Sequence, residues 1–287
     1  MLSYRHAFHA GNHADVLKHL SLVLCCLHLS KKDKPFCYLD THAGAGMYNL
    51  NSEAAQKNQE YLTGVDKLMQ SNSVPEAFKP YQALIRQARD LNPRAYPGSP
   101  WFAAQTLRAH DSLQLFELHP NDFQQLTRLF SRDKRVKTHN SDGYQSLKSL
   151  FPPPSRRGIT LIDPPYEQEQ EYQAVLATLR EGIKRFNTGA YIVWYPLINR
   201  QASAKSSASE KMVKQIHTEF SQEQLHVQYI VDPAAKGMYG SGLAILNPPW
   251  GLQEQLQEAL SFLCRNTGNP NSRFNLTMQA VNQNPRA

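Results

Sequence analysis

Ile159-Thr160-Leu161-Ile162-Asp163-Pro164-Pro165-Tyr166 is an apolar run that ends in a carboxylate, two prolines and an aromatic ring. A short apolar, β-branched run stopped by proline reads as a buried strand. Strands buried on both faces belong to parallel sheets flanked by helices, and ligands lie outside the carboxyl ends of such strands. The run therefore predicts an α/β fold and places Asp163 where a ligand would sit. The four residues suit an amino group on a flat ring. Such an amine is a poor nucleophile because its lone pair is delocalised into the ring. A carboxylate, Asp163, and a backbone carbonyl, that of Pro164, can each accept one amino hydrogen and draw the nitrogen toward a tetrahedral shape. Proline fixes the backbone that aims the carbonyl. The Tyr166 ring offers a stacking surface for a base drawn out of its helix.

Working outward, strands alternate with helices. The patterns predict strands at 36–39, 112–118, 136–139, 159–163, 190–195, 225–231 and 243–246. Helices are expected at 12–29, 121–130, 144–151, 172–186 and 206–220, the first capped by Asn12 with Asp15 in its first turn. This is a mostly parallel, seven-stranded Rossmann-like sheet that closes on an antiparallel pair. Residues 52–95 show two helical patterns, 53–70 and 75–91, and read as an inserted helical subdomain. The main domain is then 1–51 with 96–264, its first 30 residues a leader and helix, and 265–287 a polar tail expected to be partly disordered.

The 287 residues suffice for one large α/β domain, and the formal net charge of +7 favours a polyanionic partner such as nucleic acid. The 4 cysteines include no Cys-x-x-Cys spacing, which speaks against a zinc site or a disulfide framework and for reduced thiols in the cytoplasm. The apolar stretch 20–29 is too short to span a bilayer, and the N-terminus lacks a signal-peptide pattern, so no membrane association is expected.

Four polar sites fall at successive strand ends: Asp40-Thr41-His42 with Gly44 and Gly46, then Glu117, then Asp142-Gly143, then Asp163. Each acid alone could be a solvated strand end. Together they outline one ligand edge. The glycines let the backbone approach a nucleoside closely. Glu117 could accept both hydroxyls of a ribose, and Asp142 the amino group of an adenine. No phosphate loop with Lys-Ser or Lys-Thr is present, which excludes a P-loop nucleotide triphosphatase. Asn247-Pro248-Pro249-Trp250 repeats the Pro-Pro pattern after another apolar run. In sheets that bind S-adenosylmethionine the reactive lip follows the fourth strand, which here ends at Asp163. The second motif is accordingly expected to be a strand terminator, since proline cannot continue a ladder. The leader, with Tyr4, Arg5, His6, His9, His13, Lys18 and His19, allows three readings: a solvated segment, a metal site, or a gate for cofactor and substrate. No Cys or acid pair completes a tetrahedral set, so no metal is expected.

The leader from Tyr4 to His19, Asp40 to Gly46, Tyr96-Pro97-Gly98-Ser99-Pro100, Glu117-Leu118-His119-Pro120, Ile162 to Tyr166, Trp194-Tyr195-Pro196 and Asn247 to Trp250 resemble, in order, the 23S ribosomal RNA adenine-N6 methyltransferase J family. The resemblance implies a class I S-adenosylmethionine-dependent methyltransferase that modifies one adenine of bare 23S rRNA as a monomer. It implies that His19, His42, Ser99, Glu117, Asp142, Gly143 and Asp163 contact the cofactor, that Asp163 receives or directs the amino proton, and that Tyr4, His6 and Lys18 lie near the target adenosine or gate the site. An adenine-N6 DNA methyltransferase is the alternative that shares the same chemistry. Arg156, Arg157, Lys184, Arg185, Lys205 and Lys236 are candidate phosphate contacts.

Overall fold

The computed structural model describes residues 5–71, 73–199, 206–266 and 269–280. The chain opens with α1 (His13–Ser30), β1 (Cys37–Asp40) and β2 (Met47–Asn49). Three helices follow, α2 (Glu53–Asn58), α3 (Val65–Met69) and α4 (Lys79–Leu91), before β3 (Ala95–Pro97). Then come α5 (Ser99–Thr106), β4 (Ser112–Phe116), α6 (Pro120–Leu129), β5 (Val136–His139), α7 (Gly143–Leu150), β6 (Gly158–Ile162) and α8 (Gln170–Arg185). The last elements are β7 (Ala190–Ile198), α9 (Ser206–Glu219), β8 (Gln224–Ile230), β9 (Met238–Leu246), α10 (Leu252–Asn266) and β10 (Arg273–Gln279).

The main sheet runs β10-β8-β9-β7-β6-β1-β4-β5. Pairings within the β7-β6-β1-β4-β5 half are parallel, and those that join β9, β8 and β10 are antiparallel. Asp40 is level with Leu115 of β4 and Leu161 of β6, so the carboxyl ends of the central strands form one edge. One apolar layer, on the α1, α5 and α10 side, includes Leu17, Leu20, Phe102 and Leu256; the other, on the α8 and α9 side, includes Leu176, Leu179, Met212 and Ile216. Helix α1 is apolar on almost every side and is buried from Ala14 to Cys26. Its Asn12 side chain caps it by accepting the Asp15 amide, as the sequence predicts.

Three expectations need correction. The sheet has eight strands, not seven, because β10 pairs antiparallel with β8 over its whole length. That strand lies in the segment read as a polar tail. Its Phe274, Leu276 and Met278 alternate with polar residues and pack on the core, a period-two pattern masked by its polar flanks. Second, 53–70 is not one helix. Gln59 turns left-handed, with φ 52, and ends α2. Gly64 then lies so close to the Gly11 carbonyl that a side chain there would clash. Third, β2 and β3 form a small antiparallel sheet that pins both ends of the helical insert, an element absent from the sequence reading. Among the described residues the four cysteines are free, and no helix is long and apolar enough to cross a membrane.

Candidate active site

A cavity of about 810 Å³ opens at the carboxyl edge of the sheet. It is bounded by the leader and α1, the loops after β1, β4, β5 and β6, the end of β7, and Glu60 and Thr63 of the helical insert. Its size is that of a site for a nucleoside-sized ligand with room beside it. His6, Lys18, His19, His42, Ser99, Glu117, Asp142, Gly143, Asp163, Pro164 and Tyr166 all line it. Tyr4 lies outside the described residues, as does Lys205.

The loop after β1 is built by hydrogen bonds to two acids. Asp40 is fully buried and accepts the Tyr38 hydroxyl at 2.6 Å, the Ser99 hydroxyl at 2.7 Å and the His42 amide at 3.2 Å. It does not line the cavity; it holds Ser99 and the loop that do. Glu117 accepts the Gly44 amide at 2.7 Å and the His119 amide at 2.6 Å, one on each oxygen. Each oxygen keeps a lone pair for a further donor. Gly44 is left-handed, with φ 61. At Gly143 a β-carbon would meet the Thr41 carbonyl oxygen at 2.0 Å, so only glycine lets the start of α7 close on the β1 loop. Asp142 caps α7 by accepting the Tyr144 amide at 2.9 Å.

Across the cavity runs a chain of charges. The Lys18 ammonium is buried between two carboxylates, 3.0 Å from Asp15 and in a short ion pair with Asp163. Asp15 also accepts His6 Nε2 at 2.9 Å and the Gly11 amide at 2.9 Å. The two acids differ. Burial pushes Asp163 up to about 6, and Lys18 only partly offsets it. Burial pushes Asp15 upward too, but His6, Lys18 and His19 around it hold its carboxyl well below the usual carboxylate range. Burial also lowers His42 to about 3 and His13 to about 4, and takes His19 well below its ordinary value, so these rings are neutral near pH 7.

Tyr166 has a left-handed backbone, φ 52, which turns its ring inward. The hydroxyl donates to the Trp194 carbonyl at 2.7 Å and the ring packs 4.5 Å from Tyr172. A bulky residue held there stores of order 1–3 kcal/mol of backbone strain, as is common where a side chain must be aimed. Five buried polar atoms of cavity-lining residues have no hydrogen-bond partner among the described residues: His13 Nε2, Asp15 Oδ1, which instead pairs with the Lys18 ammonium, His119 Nδ1, Tyr144 Oη and Trp194 Nε1. Unsatisfied buried groups cost stability, and a ligand is one way to satisfy them. Carboxylates beside neutral histidines suit a ligand that carries a positive charge, and the left-handed Gly44 and the crowded Gly143 let the backbone approach it. The residues present fit S-adenosylmethionine.

The family model described as Ribosomal RNA large subunit methyltransferase D, RlmJ, matches residues 33–278. This chain belongs to that family. Two similar proteins, each called Ribosomal RNA large subunit methyltransferase J, come from Escherichia coli and Haemophilus influenzae. They are 46% and 41% identical to it, each over 92% of this chain and over 93% and 94% of their own length. A crystal structure of a Legionella pneumophila protein superposes with a TM-score of 0.85 at 33% identity, covering 96% of this chain and 99% of that one. The eight-stranded sheet is thus the methyltransferase fold expected from the sequence, with one antiparallel strand added.

Several cavity residues of this family member escaped the sequence reading. Asp15 was visible only as a first-turn acid, yet Lys18 and His19 follow it at i+3 and i+4, on one helix face. Glu60, which holds His9 and Asn12 at 2.9 Å each, belongs to the insert and carried no local signal. Tyr144 and Trp194 are likewise placed by the fold. Of the candidate phosphate contacts, Arg157 precedes β6, at the edge away from the cavity, and its guanidinium is spent on the carbonyls of Leu29 and Lys34. Arg185 pairs with Glu181.

Proposed function

We propose that this protein methylates the exocyclic N6 nitrogen of one adenine in 23S rRNA, with S-adenosylmethionine as donor. The observation that carries the reading is Asp163. It is a largely buried carboxylate, flanked by Pro164 and Tyr166, in the same cavity as Glu117 and Asp142. S-adenosylmethionine supplies a methyl group made electrophilic by its sulfonium. Glu117 would take the ribose hydroxyls with its remaining lone pairs, and Asp142 with Gly143 the adenine end. His19, His42 and Ser99 would complete that wall. The target base enters beside Tyr166, whose ring is anchored by its hydroxyl. Asp163 and the Pro164 carbonyl accept the two amino hydrogens. As the amine gains the methyl group it gains positive charge, and the Asp163 carboxylate stabilises that charge and takes the proton. Lys18 favours the ionised form of Asp163; His6, which lines the cavity, and Tyr4 are taken as contacts for the target nucleoside. Positioning within a water-poor cavity supplies much of the rate.

The DNA alternative has less support, because the similar Escherichia coli and Haemophilus influenzae proteins are named for ribosomal RNA. The basic charge of +7 suits either polymer. We take the substrate to be protein-free rRNA or an early assembly intermediate, met in the cytoplasm by a monomer. The test is methyl transfer from labelled S-adenosylmethionine to protein-free 23S rRNA lacking its native modifications, with duplex DNA in parallel. Label mapped to one adenine of the RNA is expected. Label on DNA alone would overturn the RNA assignment.

A further inference from the structure

Behind the end of β7 lies a second cavity, of about 440 Å³. Pro196 and Ile198 line both cavities, so the two share a wall. Helix α9 forms one side with Ser209, Glu210, Val213, Lys214 and His217; the floor is the polar face of β8, β9 and β10. Antiparallel sheets commonly leave one face to water, but here that face is concave and carries unused hydrogen-bonding groups.

His226 shows this best. Gln224 donates through its amide nitrogen to the Ile216 and Phe220 carbonyls, at 3.2 and 2.8 Å, which fixes the orientation of its amide. Its oxygen can then only accept, so His226 Nε2, 2.9 Å away, carries the hydrogen. Burial lowers His226 to about 4, so the ring is neutral and Nδ1 is a bare acceptor. That atom is buried and has no partner among the described residues. The Tyr195 side chain is buried across Gly242, where a β-carbon would meet its ring, and its hydroxyl lies near Gln228 without a well-formed hydrogen bond. The His217 ring stands 5.6 Å from His226, and Tyr239 adds a second aromatic wall. Lys214 is exposed at the rim and has no carboxylate partner among the described residues.

We infer that this cavity is a subsite for one unpaired nucleotide of the RNA substrate, a neighbour of the target adenosine on the same strand. Rings to stack on, a buried acceptor for an amino or ribose hydroxyl hydrogen, and a single cation for a phosphate are the three groups a nucleotide needs. The shared wall at Pro196 and Ile198 lets a strand pass from one cavity to the next. The inference rests on the proposed RNA substrate and names a second place where that substrate is held.

The test uses the full-length protein, a fluorescein-labelled single-stranded RNA decamer and 23S rRNA. Lys214→Glu changes the rim charge, and Val213→Trp fills the cavity from α9. Both are expected to weaken decamer binding and to raise KM for rRNA at least fivefold, with kcat at saturating rRNA and affinity for S-adenosylmethionine unchanged. Lys211→Glu is the control: it makes the same charge change on α9 but does not line the cavity, and it is expected to have less than half the effect of Lys214→Glu. Unchanged decamer affinity and KM in both cavity variants would overturn the subsite. So would equal effects of Lys211→Glu and Lys214→Glu, which would mean a diffuse field. If the unaltered protein methylates no rRNA, the proposed reaction fails, while the decamer measurement still decides whether the cavity holds RNA.

Discussion

Strand β6 runs into Asp163-Pro164-Pro165-Tyr166, and strand β9 runs into Asn247-Pro248-Pro249-Trp250. The two stretches share their prolines, their aromatic ending and their place after a buried strand. Yet the first lines the main cavity and the second does not. Direction is the cause. β6 is parallel to β1, so it ends at the carboxyl edge. β9 is antiparallel to β7, and its Leu246 pairs with Tyr191 near the start of β7, so it ends at the opposite edge. The left-handed residue differs too. In the first motif it is Tyr166, whose ring is 4% exposed; in the second it is Asn247, with φ 51, and Trp250 is 90% exposed. Asn247 spends its amide on the carbonyls of Asn187 and Gly189, at 2.7 Å each, and so closes the turn before β7. The comparison teaches that this motif is a strand stop by its chemistry and a cavity wall only by its address.

The sharpest way to break the contrast is paired substitution. Asp163→Ala is expected to lower kcat by roughly 10²- to 10⁴-fold, with the dissociation constant for S-adenosylmethionine nearly unchanged by calorimetry. Asn247→Ala is expected to leave kcat within a factor of about two. If only Asn247→Ala abolished turnover with the cofactor still bound, the reactive motif would be the one after β9.

Asp15 extends the contrast to two acids on one lysine. Asp15→Asn leaves the buried Lys18 with one partner fewer and removes the acceptor for His6 and Gly11. A loss of about 3–5 kcal/mol in unfolding free energy is expected by urea titration. Its lowered pKa means that its contribution is present above about pH 4 and is lost as pH falls. Asp163 runs the other way. Its folded value of about 6 lies above the unfolded one, so its ionisation costs stability as pH rises from about 4 to about 6. Asp163→Asn should therefore raise unfolding free energy at pH 8, by on the order of 1–3 kcal/mol, while it removes activity. An unchanged or lower stability would show that Asp163 also holds the fold.

The same value sets a pH profile. The kcat/KM for rRNA is expected to fall as pH drops through about 6, as Asp163 takes up a proton. Lys18 pulls that value down, so Lys18→Met should move the acid limb to higher pH. A limb that stays in place in this variant would assign it to another group. At the small end, Asn247→Ala is expected to cost about 1–2 kcal/mol of stability, through two lost hydrogen bonds and an alanine held left-handed. Trp250→Ala should change stability by less than about 0.5 kcal/mol, measured by thermal unfolding, because its ring touches mainly solvent.

Much of the site was legible because its residues stand next to strong local signals. Asp163 follows an apolar run. Gly44 and Gly46 follow a strand, and Glu117 follows the next. Asn12 caps α1 where the apolar pattern begins. The misses share a cause as well. β10 is a weakly amphipathic edge strand, whose place is set by pairing with β8 and packing near α10, both distant in sequence or separated by polar residues. The small β2–β3 sheet joins residues separated by the whole insert, with Tyr48 opposite Tyr96.

By itself, then, the sequence determined the order of strands and helices, the acids at the strand ends and the chemistry those acids offer, because periodicity and local residue type report burial and backbone shape within a few residues. Tertiary structure alone decided which end of the sheet each motif faces, and it brought Lys18 to Asp163 across 145 positions of chain. It also brought Glu60 of the insert over the leader and left His226 with a bare acceptor in a second cavity. Strand direction and long-range ion pairs depend on how distant segments share a core, and no local pattern in the chain carries that information.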